Sequence, residues 1–162
     1  MSYWIIILMQ FSILAYALIG GVFLAFSDFI MRSLAKTSGI GGIEAMQSIN
    51  IEVFRWIFMT LFLGMAAVSV VVLGYGMVTL GSPGAPMIAL AGLIYLVGCF
   101  GVTVVFNVPM NEALAKMKLS SDEVQEYWTG TYLPSWTFWN SVRTIACVSA
   151  SVLLLVTLTS IK

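Results

Sequence analysis

The chain has 162 residues, of which 60% are apolar and only 9% are charged. Because a soluble domain carries roughly 25% charged residues, this composition excludes an ordinary soluble protein and predicts one domain that is largely covered by lipid. Seven basic and seven acidic side chains cancel, and the absence of a basic stretch excludes a nucleic-acid partner.

Four apolar segments reach the roughly 20 residues that a membrane-spanning helix needs. The predicted spans cover residues 4–27, 56–80, 86–108 and 135–159. The first is not a signal peptide, because it lacks a basic n-region and its apolar run is too long. We therefore predict a single all-α membrane domain over residues 1–162, built as an antiparallel four-helix bundle.

The connections between the spans differ in length and charge. Residues 81–86 form a short uncharged turn between spans two and three. In the longer 28–55 connection, residues 43–51 predict a short interfacial helix that leads into span two. Residues 111–134 predict a helical connection that starts near Ser121, with Pro134 at the beginning of span four.

The distribution of charged and aromatic residues predicts the orientation in the membrane. Five of the seven basic residues flank the two long connections: Arg32, Lys36, Arg55, Lys116 and Lys118. The positive-inside rule then places both long connections in the cytoplasm and both termini outside a bacterial inner membrane. Aromatic belts are predicted at both interfaces. They comprise Tyr3 and Trp4 on one side, and Trp56, Trp128 and Tyr132 on the other.

Small residues within the spans predict tight packing. Cys99 and Cys147 lie in apolar runs without C-x-x-C spacing, so we expect them to be small buried residues. Close helix contacts are expected in spans two and three at Gly64, Ala67, Gly98 and Gly101.

Polar side chains gather where the two long connections meet the spans. They are Asp28 after span one, Asn107, Asn111 and Glu112 after span three, and Trp136, Trp139, Asn140 and Arg143 at the start of span four. Hairpin topology brings these ends to one membrane face. Because polar groups in lipid are costly, they mark either a functional site or a structural pairing.

Helical phase refines this cluster. At 100° per residue, Trp136, Asn140 and Arg143 lie within about 60° of one another, and Trp139 lies about 40° beyond the edge of this group that is opposite Asn140. Arg143 is about two turns into its helix and should face the interior of the bundle. Pro109 predicts irregular backbone at the end of span three.

Two interpretations of the cluster stay open. In the structural one, Arg143 pairs with Asp28 or Glu112 and fastens the bundle, while the asparagines form interhelical hydrogen bonds. In the functional one, Trp136 and Trp139 add flat apolar surface to a ligand site. A cavity lined by these tryptophans and Asn107 would favour the second interpretation.

Four motifs, in this order, resemble the anthrone-oxygenase-like family of small integral membrane proteins. They are Phe26-Ser27, residues 46–50 (Met-Gln-Ser-Ile-Asn), residues 106–111 (Phe-Asn-Val-Pro-Met-Asn) and residues 136–144 (Trp-Thr-Phe-Trp-Asn-Ser-Val-Arg-Thr). Bacterial members are largely a domain of unknown function, whereas fungal members oxidise anthrones to anthraquinones with dioxygen, without an established metal or flavin. Many relatives have histidine where this chain has Ser141.

The resemblance implies a cofactor-independent oxygenase that acts on a flat, apolar, phenolic or quinone-like molecule. Arg143, Asn107 and Asn140 would stabilise an oxyanion, and Asp28 or Glu112 would take the proton. The remaining ligand-binding candidates are Asn111, Trp136 and Trp139. The chain has no histidine, the commonest ligand of haem, zinc and copper, so we predict no metal or other cofactor.

The alternative function is non-catalytic. A small bundle with little mass outside the membrane also suits an accessory or structural subunit of a larger membrane complex. The expected partners are membrane lipids, a flat aromatic or quinone ligand, and either further copies of this chain or a larger membrane complex.

Overall fold

The computed structural model describes residues 2–55 and 57–160, which form five helices. They are α1 (Tyr3–Ala35), α2 (Gly41–Glu52), α3 (Ile57–Val78), α4 (Ala85–Lys116) and α5 (Asp122–Ser160). All but α2 are long and apolar enough to cross a membrane. The predicted all-α fold with four candidate spans is therefore confirmed.

Helix α5 extends further than predicted. It begins at Asp122, directly after Ser121, as the sequence indicated. Pro134, predicted at the beginning of span four, lies inside this continuous helix, shortly after a π-helical turn at Trp128–Tyr132. Proline normally clashes with the carbonyl four residues earlier, and the wider π-helical turn relieves that clash.

Three further π-helical segments interrupt the long helices. They are Phe26–Ile30 in α1, and Tyr95–Gly101 and Thr103–Asn107 in α4. The segment at Thr103–Asn107 directly precedes Pro109 and confirms the irregular backbone predicted there. Such turns are frequent at functional sites. Their position beside the polar residues therefore makes this end of the helices a candidate functional site.

Helix α1 packs mainly against α5, and α3 packs mainly against α4. In the first pair, Gly20 lies so close to Cys147 that a Cβ on the glycine would be 3.0 Å from the cysteine Cβ. Cys99 and Cys147 are fully buried, as predicted, with their sulfur atoms 3.3 Å apart. Gly98 lies against Ala146, which confirms one of the predicted close contacts.

The contact between α3 and α4 depends on glycines other than the predicted ones. A Cβ on Gly76 would lie 2.4 Å from the Ala89 nitrogen, and one on Gly92 would lie 2.7 Å from backbone atoms of α3. Gly64 and Ala67, for which close packing was predicted, are instead exposed on the outer face of α3. Helical phase explains the error, because Gly76 is twelve residues after Gly64 and points in another direction.

Helix α2 confirms the short helix that was predicted in the first long connection. Its Ile43 and Met46 join a second hydrophobic core with Leu114 of α4 and with α5. Trp128 and Tyr132 belong to this core and are 4% and 0% exposed, so their prediction as belt residues was wrong. The physical reason is that side chains of α1, α2 and α4 pack into the same core.

Of the other predicted belt residues, two lie on the surface and one lies outside the described residues. Tyr3 and Trp4 are 77% and 52% exposed, in agreement with a belt position. Trp56, the remaining predicted belt residue, lies outside the described residues.

Candidate functional site

Five of the eight predicted site residues come together where α4 and α5 face α1. They are Asn107 and Asn111 of α4, and Trp136, Asn140 and Arg143 of α5; with Thr103 of α4 and Tyr132 of α5 we call them the polar cluster. Hydrogen bonds join its members, as described next. The spacing predicted from helical phase therefore places these side chains correctly.

Arg143 is only 5% exposed, as the sequence indicated. Its Nη2 donates to Asn140 Oδ1 at 2.6 Å, and its Nη1 donates to Thr103 Oγ1 at 3.2 Å. The guanidinium carbon lies 4.2 Å from the centre of the Phe23 ring and 5.2 Å from that of Trp136. Cation–π contacts on two sides therefore hold the guanidinium in place.

The ion pair of Arg143 with Asp28 or Glu112, which belonged to the structural interpretation, is not among the ion pairs of the described residues. Asp28 instead forms an exposed ion pair with Arg32, at 2.8 Å, and Glu112 is exposed. The other ion pair found within residues 2–55 and 57–160 joins Arg55 to Glu52. Arg143 therefore keeps its charge in a buried site where its hydrogen-bond partners are neutral.

Asn140 ties α5 to α1. Its Nδ2 donates to the Phe23 carbonyl and to Ser27 Oγ, each at 2.6 Å. Ser141, at the position where many relatives have histidine, donates to Ser27 Oγ at 2.9 Å. Both amide protons of Asn140 are donated to α1, so this residue links α5 to α1. Its side-chain oxygen orients Arg143.

Asn111 joins the aromatic side chains of α5 to α4. Its Oδ1 accepts hydrogen bonds from Tyr132 Oη at 2.7 Å and from Trp136 Nε1 at 2.8 Å. Tyr132 Oη also accepts one from Asn50 of α2 at 3.3 Å. Because the rings of Trp128, Tyr132 and Trp136 stack in series, the side chain of Trp136 is fixed beside Arg143.

Within residues 2–55 and 57–160, two buried polar atoms of the polar cluster find no hydrogen-bond partner. They are Asn107 Oδ1, an acceptor, and Arg143 Nε, a donor. Asn107 is 1% exposed and uses only its Nδ2, which donates to the Trp136 carbonyl at 3.3 Å. Unsatisfied buried polar groups cost free energy, so each calls for an explanation such as a ligand or an ordered water.

A cavity of about 90 Å³, open on one side, lies against Arg143. Its polar lining consists of Asn50, Thr103, Asn111, Trp136 and Arg143. Aromatic rings from α1, α3 and the segment after α2 contribute most of the remaining wall: Phe23, Phe26, Phe54, Phe58 and Phe62. We call this space the cluster cavity.

Five predicted site residues do not line the cluster cavity: Asp28, Asn107, Glu112, Trp139 and Asn140. Asp28 and Glu112 are on the surface, as described above. Trp139 is partly buried and stacks on Phe106, with ring centres 3.6 Å apart and planes at 6°. Because Trp139 is the residue directly before Asn140, its ring points to a different side of α5.

Sequence reasoning did not identify several residues that form the site. Thr103 and Phe23, which contact the Arg143 guanidinium, were not singled out. Asn50 and Ser27 occurred in motifs noted above but had no assigned role. The signal available for Ser27 was its spacing of four from Phe23, which predicts a shared helix face.

Comparison with known families identifies the chain. Residues 52–153, more than half of it, match the sequence model of the anthrone oxygenase family. The chain belongs to the anthrone oxygenase family. No curated protein and no solved structure shows a match.

In this family member the matched region contributes the whole polar cluster, because residues 103–143 lie within it. Phe23, Phe26 and Asn50, which complete the cluster cavity, precede the matched region. Within the described ranges 2–55 and 57–160, histidine, cysteine and acidic side chains nowhere come together in threes that could hold a metal ion.

Proposed function

We propose that this protein binds a flat phenolic or quinone-like molecule in the cluster cavity and oxidises it with dioxygen, without a cofactor. The observation that supports the proposal is Arg143, a buried cation whose hydrogen-bond partners are neutral and whose Nε is free. A buried charge is costly unless it is paired. An anionic ligand oxygen would satisfy both the charge and the free N–H.

The aromatic residues that line the cluster cavity favour an anion that itself carries aromatic rings. Phe23, Phe26 and Trp136 present flat apolar surface to the cluster cavity, and aromatic rings favour stacked or edge-to-face contacts with other rings. A phenolate or an enolate of a polycyclic ketone combines one anionic oxygen with such rings.

The chemistry needs an ionised substrate. An anthrone loses a proton from its CH₂ group and becomes an enolate, whose oxyanion Arg143 and its neighbouring hydrogen-bond donors would stabilise. The enolate carbon passes electrons to dioxygen and forms a hydroperoxide at that carbon. Loss of water then gives the quinone carbonyl, so one oxygen atom enters the product and the other leaves as water.

The positions of the two predicted bases call for another account of the substrate's deprotonation. Asp28 and Glu112 were the predicted bases, yet neither lines the cluster cavity. We propose instead that Arg143 lowers the pKa of the bound substrate, because a nearby cation favours the ionised form. The proton would pass to water at the open side of the cavity.

We expect purified protein in detergent to convert an anthrone to the anthraquinone with one dioxygen consumed for each quinone formed. Absorbance of the quinone and an oxygen electrode measure the two quantities. Binding of the anthrone enolate without oxygen consumption would restrict the function to ligand binding. Failure to bind any phenol or quinone would favour the alternative, an accessory subunit of a larger membrane complex.

We also propose that the four spans form an antiparallel bundle in a bacterial inner membrane, with both long connections in the cytoplasm and α2 at the interface. Contacts between α1 and α5 support this arrangement. Ser151 Oγ donates to the Ile13 carbonyl, whereas Asn140 contacts Phe23, so that residue numbers rise along α1 as they fall along α5. The positive-inside rule supports the cytoplasmic side.

Cysteine labelling tests this topology. Lys118→Cys and Ser82→Cys place thiols at exposed positions on opposite sides of the proposed bundle, while the native Cys99 and Cys147 are buried. A membrane-impermeant maleimide should label Ser82→Cys in cells with a permeabilised outer membrane, and Lys118→Cys only after the inner membrane is also disrupted. Labelling of both positions from the same side would contradict the topology.

A further inference from the structure

An apolar groove runs between α1 and α3 on the outer surface of the helices. Its volume is about 610 Å³, and one polar side chain, Thr60, is among the residues that line it. The lining residues are Phe11, Leu18, Ile57, Thr60, Leu61, Gly64, Met65 and Val68. Such a groove suits an aliphatic chain.

Residues of the same two helices, α1 and α3, line both the groove and the cluster cavity. Leu18 lines the groove, and Val22, one helical turn further along α1, lines the cluster cavity. On α3, Met65 lines the groove and Phe62 lines the cavity, again one turn apart. The two spaces are therefore neighbours, and one molecule that enters between α1 and α3 could occupy both.

We infer that the ligand is an amphiphile: its ionisable aromatic head lies beside Arg143, and its aliphatic chain lies in the groove between α1 and α3. An alkylated or prenylated quinol has this chemistry. The inference rests on the proposed function, since it assigns the head to the same cluster cavity. The buried guanidinium with its free Nε supplies the polar end of the site, and the groove supplies the apolar end.

Gly64 makes a sharp test of the chain position. A Cβ added to Gly64 would meet no atom within 4 Å, so a larger side chain would fill the groove without a clash against the protein. Gly74 of the same helix is equally open but lines neither space. Gly64→Leu and Gly74→Leu therefore form a matched pair, in which both changes also increase helix propensity.

The probes are two benzoquinols with the same ring, one with a decyl chain and one with a methyl group. Binding to each variant in nanodiscs of one lipid composition is followed by quenching of tryptophan fluorescence. We expect Gly64→Leu to weaken binding of the decyl quinol by about tenfold, the size of effect that overpacking gives. Binding of the methyl quinol by Gly64→Leu, and of both quinols by Gly74→Leu, should equal that of the wild type.

The outcomes separate this inference from the proposed function. If both quinols bind and Gly64→Leu weakens neither, or weakens both equally, the groove does not hold the chain and the inference is overturned. If the wild type binds neither quinol, the proposed function fails and the inference fails with it. Thr60→Phe fills the same groove from another position on α3 and should reproduce the selective loss if Gly64→Leu does not fold.

Discussion

Arg143→Gln should bind an anionic phenol at least tenfold more weakly than the wild type, yet melt at the same temperature or a higher one. The binding loss follows from the removal of a charged hydrogen-bond donor, which contributes roughly 1.5–3 kcal/mol, and tenfold in affinity corresponds to about 1.4 kcal/mol. Absorbance titration of a phenol whose spectrum shifts on ionisation, together with a thermal melt without ligand, measures both quantities.

The expected stability of this variant follows from the absence of an acidic partner beside Arg143. Removing one member of a buried ion pair leaves an uncompensated charge and costs about 3–5 kcal/mol. Here the hydrogen-bond partners of the guanidinium are neutral, so its removal also removes the cost of burying the charge. Glutamine can still donate a hydrogen bond to Asn140 Oδ1.

Arg32→Gln is the matched control. It changes the net charge of the protein by the same amount, but Arg32 is exposed and lies outside the cluster cavity. Affinity for the phenol should therefore stay at the wild-type value. A marked fall in the melting temperature of Arg143→Gln, with no change in phenol affinity, would contradict the ligand site and favour a purely structural role.

Hydropathy and helical phase were sufficient to predict the four spans and most of the polar cluster. An apolar segment of about 20 residues spans lipid as a helix, which satisfies its own backbone hydrogen bonds, and a spacing of three or four residues fixes which side chains share a helix face. Trp136, Asn140 and Arg143 were placed correctly for this reason. The direction of a side chain around the axis of one helix depends only on residue spacing, which is read directly from the sequence.

The partner of Arg143 could not be predicted in the same way. Asp28 follows span one, and the hairpin topology placed it at the same membrane face as Arg143, which made it a candidate partner. However, Ser27 faces α5, and Asp28, the next residue of α1, points to another side, where it pairs with Arg32 one helical turn away. The rotation of α1 against α5 depends on packing at Gly20 and Cys147, which hydropathy does not specify.

The burial of Trp128 and Tyr132 was missed for a related reason. Aromatic residues near the end of a span are typical of interface belts, and no pattern in the sequence indicated that another helix packs against them. Helix α2 does so, because Ile43 and Met46 pack into the same core. Contacts between segments far apart in the chain are the part of the fold that pattern analysis of one sequence leaves open.

Gly76→Ala should destabilise the protein strongly, although it adds only one methyl group. The new Cβ would lie 2.4 Å from the Ala89 nitrogen and 2.8 Å from the Ala85 oxygen. These are backbone atoms and cannot move without shifting α4. Overpacking costs about 1–3 kcal/mol, and we expect the upper end of this range, measured as a lower midpoint of unfolding in a denaturing detergent.

Gly74→Ala, two residues earlier on α3, is the control that isolates this contact. Its Cβ would meet no atom within 4 Å, so alanine should leave stability unchanged or raise it by up to about 1 kcal/mol through helix propensity. The same propensity gain applies at Gly76, so the difference between the two variants measures the packing alone. Equal unfolding midpoints would contradict the close approach of α3 and α4. Since Phe58 and Phe62 reach the cluster cavity from α3, separation of these helices should also weaken binding of the phenol.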